Sequence, residues 1–473
     1  MTAGEPADLL VEHADLVATV DDERREIQGG WVAVSGGFVS GVGPPGYEPE
    51  AARVLDASGC LVTPGLVNTH HHMFQNLTRA YRPALGGTLF DWLKSLYPLF
   101  ARIDEEAVYL STWVGLAELA FGGCTCSTDH LYVHPAGAGD LLAAEISAAR
   151  ELGFRFHPTR GSMSLSEKDG GLPPDSVVQD DDMILAESEA AVVRHHDPAP
   201  GAMVRIALAP CSPFTVTTEL MRATAELAER LDVRLHTHLA EVRDEDDFCL
   251  EMFGLRPVDY AAEVGWMTDR TWVAHFVHPN GVEIGRAGRS GVGVAHCPSS
   301  NMILGSGLAP ISELLAAGVP VGLGCDGSAS ADSASLWQEA RLALLQGRLR
   351  AGQAGREPGS VGARDALEMA TRGGAVCLDR AGELGQLSVG AAGDLVAWRL
   401  DGLGFSGAVS DPVEAWLRGG PTSAWHTVIA GRPLVEAGEL TIAGLDEKLA
   451  EHRRVAADLQ REPRRSGRRG SGR

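Results

Sequence analysis

The sequence predicts an α/β protein: a (β/α)8 barrel beside a small β-sandwich domain built from both chain ends. Three observations lead there. Eight short apolar strand candidates occupy the middle of the 473-residue chain. Helical patterns such as EEAVYLSTWVGLAELAF and TTELMRATAELAERL lie between them. Both ends carry alternating β-branched residues punctuated by glycine, as strands and turns do. An open doubly wound sheet is the rival layout, but no Gly-rich phosphate loop is present to anchor one.

From 1 to 64, LVEHADLVATV, WVAVSGGFVSGVG and ARVLDASGCLV read as short strands. The barrel is expected over 65–380. Its strand candidates are LVTPGLVNTH, CTCSTDHLY, FRFHPTRGS, VRIALAPCS, VRLHTHLAE, TWVAHFVH, GVGVAHCPSS and VPVGLGCDGS. From 381 to 441 the β texture returns in GELGQLSVGAAGDLVAWRL and HTVIAGRPLVEAGEL, and completes the sandwich. From 442 to 473 a terminal helix leads into a disordered basic tail, REPRRSGRRGSGR.

Composition narrows the class. Hydrophobic residues make up 44% and charged residues 22%, as in a folded soluble protein. The net charge of −23 repels nucleic acid phosphates and anionic membranes, so neither is an expected partner. No run of about 18 apolar residues occurs, and the N-terminus carries acids where a signal peptide carries bases. Eight scattered cysteines read as reduced thiols of a cytoplasmic protein. Cys124 and Cys126 lack CxxC spacing and read as core packing.

In a barrel, function collects where the strands end. Those ends carry His70, His71 and His72, then Asp129, His130, Arg160, His236, His238, Glu241, His275, His278, His296 and Asp326. So many polar residues cannot all be core packing, because each would need a buried partner. His70 and His72 lie two apart and so share one strand face. They can converge on one cation, with His71 pointing away. Imidazole and carboxylate ligands without thiolate suit Zn²⁺, and also Fe²⁺ or Mn²⁺.

The motifs VTPGLVNTHHHMFQNLTRA, HTHLAE, AHFVH, HCPSSN and GCDGSAS occur in that order. In this the chain resembles the amidohydrolase superfamily over residues 55 to 440. LFDWLKSLYPLF, STDHLY, TRGSMSLSEKDGGLPPDSVV and LAPCSPF are similar to its purine and pterin deaminase branch, most of all to 8-oxoguanine deaminases, with isoxanthopterin deaminases as neighbours. The resemblance implies that His70, His72, His238 and Asp326 hold the metal. It also implies that Glu241 shuttles protons and that His275 holds the attacking water or the leaving group, with Asp326 helping to take the water's proton. Such a donor set leaves one position for water, whose pKa falls from 15.7 to roughly 7. Many two-metal relatives bridge their metals with a modified Lys at the end of the fourth strand. This chain has only Lys94, Lys168 and Lys448, none of them there, so one metal is expected.

A planar heterocycle needs flat walls and a few fixed donors. Gln75 offers a donor and an acceptor, and Tyr132 follows the second strand. Trp92 supplies a wall or packs an amphipathic helix. Arg160 reads a ring carbonyl with two donors or forms a structural ion pair. The loop 166–182 is a lid or a surface connection. The expected activity is hydrolytic deamination of an oxidised purine, 8-oxoguanine to urate and ammonia. Isoxanthopterin or another aminoheterocycle is the alternative, as is a triazine hydrolase releasing chloride or an alkylamine. Glu241 favours deamination. A non-catalytic scaffold would have lost ligands, and all four are present. A homo-oligomer stays open, since no interface stripe stands out.

Overall fold

The computed structural model describes residues 6–171 and 173–461; beyond Arg461 the basic tail expected to be disordered lies outside the described residues. At the centre, eight parallel strands close into a barrel. We number them β1 (Leu66–Asn68), β2 (Cys124–Leu131), β3 (Arg155–Ser162), β4 (Ala207–Pro210), β5 (Leu235–Leu239), β6 (Thr271–His275), β7 (Gly293–His296) and β8 (Val321–Leu323). Leu323 of β8 pairs with Asn68 of β1 and closes the ring.

Every barrel strand falls inside one of the eight candidates. The first candidate is divided, however. Cys60–Pro64 belongs to a sandwich sheet, and β1 starts the barrel after Gly65. A Cβ on Gly65 would fall 2.0 Å from Thr125 Oγ1, so glycine lets the chain cross this close to β2.

Local signals set the helices. Asp104, Asp140 and Thr217 accept backbone N–H bonds at the starts of Glu105–Phe121, Leu141–Leu152 and Thr218–Leu231. Gly153, at φ 66°, ends the second of these. Their apolar faces, including Trp113, Leu116, Ile146, Leu220 and Leu227, pack into one core with the outward residues of the barrel.

Two sheets lie beside the barrel. Phe38–Gly43, Trp31–Ser35, Ala7–Glu12 and Ala51–Asp56 form one. The other has seven strands, in which Cys60–Pro64 pairs with Leu395–Arg399, so both ends of the chain share it. Leu9, Val11, Val32 and Val34 of the first sheet pack with Val62, Leu395 and Val428 of the second. Arg155 at the start of β3 ties barrel to sandwich. It grips Asp394 through two bonds of 2.8 and 2.9 Å, both partners buried. Breaking a buried pair of this kind costs about 3–5 kcal/mol.

The eight cysteines are free and buried. No helix among the described residues is long and apolar enough to cross a membrane.

Candidate active site

Alternation of side chains turns His70 and His72 toward the barrel axis just beyond β1, and His236 and His238 likewise on β5. Hydrogen bonds then fix each ring. His72 Nδ1 donates to the His130 carbonyl at 2.8 Å, and His238 Nδ1 to the Cys211 carbonyl at 2.6 Å. A carbonyl accepts only, so each Nδ1 carries the hydrogen and each Nε2 keeps its lone pair. His70 reaches the same state by one more step. His236 Nδ1 donates to the Trp272 carbonyl at 3.0 Å, which leaves His236 Nε2 as an acceptor for His70 Nδ1 at 2.8 Å. His70 Nε2 is then a buried lone pair with no hydrogen-bond partner. Burial holds all three rings neutral: it pushes His72 down to about 3 and lowers His70 and His238 as well.

Asp326 lies among these lone pairs. Its Oδ1 is 3.4 Å from His70 Nε2 and 3.3 Å from His72 Nε2. The Gly327 N–H, at 2.7 Å, and the Ser330 hydroxyl, at 3.3 Å, donate to Asp326.

These donors fit a divalent metal. His72 Nε2 and His238 Nε2 face one another at 3.1 Å with no hydrogen between them, a repulsive contact unless a cation lies at their focus. Tetrahedral ligands at about 2.0–2.1 Å from a metal stand about 3.3 Å apart. Donor atoms within 4.8 Å of one another fall into two groups, His70–His72–His130–His238 and His70–His275–Asp326. The expected ligands are thus divided between two groups that share His70, and His72 Nε2 lies 3.1 Å from His238 Nε2 and 3.3 Å from Asp326 Oδ1.

Glu241 and His275 stand beside this cluster, with Glu241 Oε2 3.7 Å from His275 Nε2. Burial pushes Glu241 up to about 7, against the pull of His238. His275 Nδ1 bonds Asn301 Oδ1 at 2.9 Å, which leaves Nε2 free, 3.9 Å from Asp326 Oδ2. The backbone is held in unusual shapes here. Ala240, His275, Phe276 and Asp326 have φ of 54°, 71°, 49° and 59°. Non-glycine residues in this left-handed region cost about 1–3 kcal/mol each and cluster at functional sites.

The cluster opens into a cavity. Trp92, Leu89, Leu93, Tyr97, Phe214 and Leu304 give it apolar walls, and Gln75, Ser212, Thr215 and Ser330 give it polar groups. Gln75, Trp92 and Tyr132 therefore all line this cavity. Trp92 is buried and donates Nε1–H to the Ala329 carbonyl at 3.1 Å. Gln75 Oε1 is buried without a partner, and Gly327 leaves it room, since a Cβ there would fall 1.8 Å from that oxygen.

Arg160 requires a correction. It does not line this cavity. Its guanidinium donates to the Gly161 carbonyl, to Gln179 Oε1 at 2.6 Å and to Glu187 Oε2 at 2.5 Å. The reason is strand parity. His157 faces the axis near Trp272 on β3, so Phe156 and Arg160 face outward to the helices. Arg160 opens instead on a separate crevice with His134, Asp140 and Arg194. His71 is buried with neither ring nitrogen bonded, and none of the three lysines lines the cavity.

The Amidohydrolase family model matches residues 61–430, most of the chain and all the site residues above. The chain belongs to the amidohydrolase family. Among its relatives, 8-oxoguanine deaminase of Pseudomonas aeruginosa is 49% identical over 91% of this chain and 95% of its own. Isoxanthopterin deaminase from an unknown prokaryotic organism is 34% identical over 94% of each. Atrazine chlorohydrolase from Arthrobacter aurescens, solved with zinc, superposes with a TM-score of 0.91 at 34% identity, covering 95% of this chain and all of that one.

This amidohydrolase site has parts that the motifs left unassigned. His236 orients His70, Asn301 orients His275, and Ser330 supports Asp326. Glu245 accepts the N–H groups of Ala240 and Glu241 at 2.9 and 2.8 Å, which fixes the backbone of Glu241. The two-residue spacing of His236 and His238 repeats that of His70 and His72 and was the available signal for His236. Nothing local marks Glu245.

Proposed function

We propose that this amidohydrolase is a metal-dependent deaminase of an oxidised purine, converting 8-oxoguanine and water to urate and ammonia. The observation that carries the chemistry is Glu241. It is a buried carboxyl with a pKa raised to about 7, standing between the ligand cluster and a cavity with a flat aromatic wall. The 49% identity to an 8-oxoguanine deaminase supports the choice of ring.

His70, His72, His238 and Asp326 would hold one divalent ion. Zn²⁺ is the first choice and is supported by the zinc in the triazine hydrolase relative; Fe²⁺ and Mn²⁺ suit the same donors. Such an ion makes water a nucleophile at neutral pH. The residues do the rest. His275 Nε2 and Asp326 take the proton of the attacking water. Glu241 gives a proton to the ring nitrogen beside the amino-bearing carbon as the C–O bond forms and the C=N electrons move onto that nitrogen. Glu241 then takes the hydroxyl proton as the C=O bond forms and passes it to the amine, so the C–N bond breaks and ammonia leaves, and the proton held by His275 and Asp326 returns to Glu241. Trp92 forms a wall against the ring, and Gln75 and Tyr132 meet its polar edge. The buried reduced cysteines suit a cytoplasmic protein.

An ammonia-release assay over 8-oxoguanine, isoxanthopterin, guanine and aminotriazines tests this reading. 8-Oxoguanine should give the highest kcat/KM. A preference for a chlorotriazine with chloride release would overturn it, because chloride needs no proton to leave.

A further inference from the structure

The helix Leu445–Gln460 follows the last sandwich strand, yet it packs on the barrel side. It lies against the helix Glu105–Phe121 and the turn Met73–Thr78, which directly follows His72. His452 Nε2 is 2.7 Å from Asn76 Oδ1. Asn76 Nδ2 donates to the Ser111 carbonyl at 2.8 Å, which turns its amide oxygen toward His452 and makes the ring nitrogen the donor. One residue on, Gln460 Nε2 donates to the Leu77 carbonyl at 2.7 Å. Leu459 is buried in the same apolar cluster as Phe74, Trp92 and Tyr97. Arg102 closes the end of the helix by donating to the carbonyls of Asp458, Leu459 and Arg461.

These contacts share one target. The turn they grip carries Gln75, and the cluster that takes Leu459 carries Trp92; both residues line the cavity. The turn has its own anchor on the other side, where the Met73 N–H bonds Asp129 Oδ1 at 2.6 Å. Without the helix, Asn76 and Leu77 would keep only part of their bonding, and the Gln75 end of the cavity would be held from one side alone.

We propose that the C-terminal helix is a strap that positions the substrate wall, with His452 and Gln460 as positioning residues acting through Asn76 and Leu77. This rests on the reading of the cavity as the substrate site. Neither residue lines the cavity or belongs to the ligand groups. Their loss should therefore affect how substrate is held and leave the chemistry and the metal as they are.

The test uses the full-length, metal-loaded protein. Amide hydrogen exchange is read across Met73–Thr78, and steady-state kinetics are run on 8-oxoguanine. His452→Ala and Gln460→Ala should each speed exchange in the turn. Each should raise KM roughly three- to tenfold, the fold-change of one lost neutral hydrogen bond, with kcat and metal content unchanged. His452→Gln keeps a donor for Asn76 and should restore both readouts. Exchange that stays at the wild-type rate in both alanine variants would overturn the strap. So would a fall in kcat at constant KM, or failure of His452→Gln to restore protection. A wild-type protein that deaminates no heterocycle would overturn the substrate reading alone, because exchange reports on the strap without substrate.

Discussion

Replacing Glu241 by Gln tests the proton shuttle proposed for it and leaves the rest of the site in place. The side chain is buried and its carboxyl faces His275 Nε2 at 3.7 Å, while Glu245 pins its backbone through two N–H bonds. Gln fills the same space and matches the charge of the protonated acid, so the cavity should keep its shape. Glu241 belongs to neither group of converging ligand atoms, so the metal should stay. What is lost is proton transfer to the ring nitrogen and to the leaving amine. A pKa near 7 makes that transfer efficient at neutral pH, and groups in this role contribute about 10²–10⁴-fold, or about 3–5 kcal/mol of barrier. Ammonia release should therefore fall by that factor in kcat, with KM little changed and the metal content that of the wild type. A variant within tenfold of wild-type kcat would refute the shuttle. Loss of metal would show that Glu241 is a ligand instead.

Three further outcomes follow from the geometry. Elemental analysis should find one divalent ion per chain, lost together with activity in His72→Ala, because His72 Nε2 lies within 3.3 Å of both Asp326 Oδ1 and His238 Nε2; two ions at full occupancy would contradict this. Arg160→Lys should lower the midpoint of urea unfolding, because Lys cannot serve Gly161, Gln179 and Glu187 together. Its kcat/KM should change equally for substrates with and without a ring carbonyl, whereas a selective loss would return Arg160 to the substrate. Glu339 is buried against Ser299, and burial pushes its pKa from the ordinary 4.5 up to about 8. The folded state then keeps a proton that the unfolded state releases. The stability this contributes is complete below pH 4.5 and is lost as pH rises to about 8, at up to about 1.4 kcal/mol per pH unit. Urea unfolding at pH 5.5 and 8 should show a smaller pH difference in Glu339→Gln, and an equal difference would contradict the assignment.

The eight strands and the histidine pair of the first strand were legible because both depend on local sequence. Apolar runs bounded by glycine mark the strands, and two-residue spacing puts His70 with His72 on one face. Gln75 and Trp92 could be placed near His70 and His72 from their distance along the chain, and Tyr132 from its position after the second strand; all three line the cavity. Arg160 could not, because the outcome depended on which face of β3 looks inward, and the short run around His157-Pro158-Thr159 gives no clear parity. The division of the first strand candidate at Gly65 was hidden for a similar reason. An apolar run does not show that its halves pair in different sheets. Glu245, Asn301 and His452 were invisible because each acts through a contact made only in the fold; His452 lies more than 350 residues from its partner.

The central claim is that His70, His72, His238, Asp326 and Glu241 form a deaminating site shaped for an oxidised purine. The most direct measurement is turnover of 8-oxoguanine by the zinc-loaded protein, with urate and ammonia quantified together. Equal molar amounts of the two products should appear, at a kcat/KM above that for guanine, isoxanthopterin and every triazine tested. No urate from 8-oxoguanine, by a protein carrying its full complement of metal, would contradict the claim.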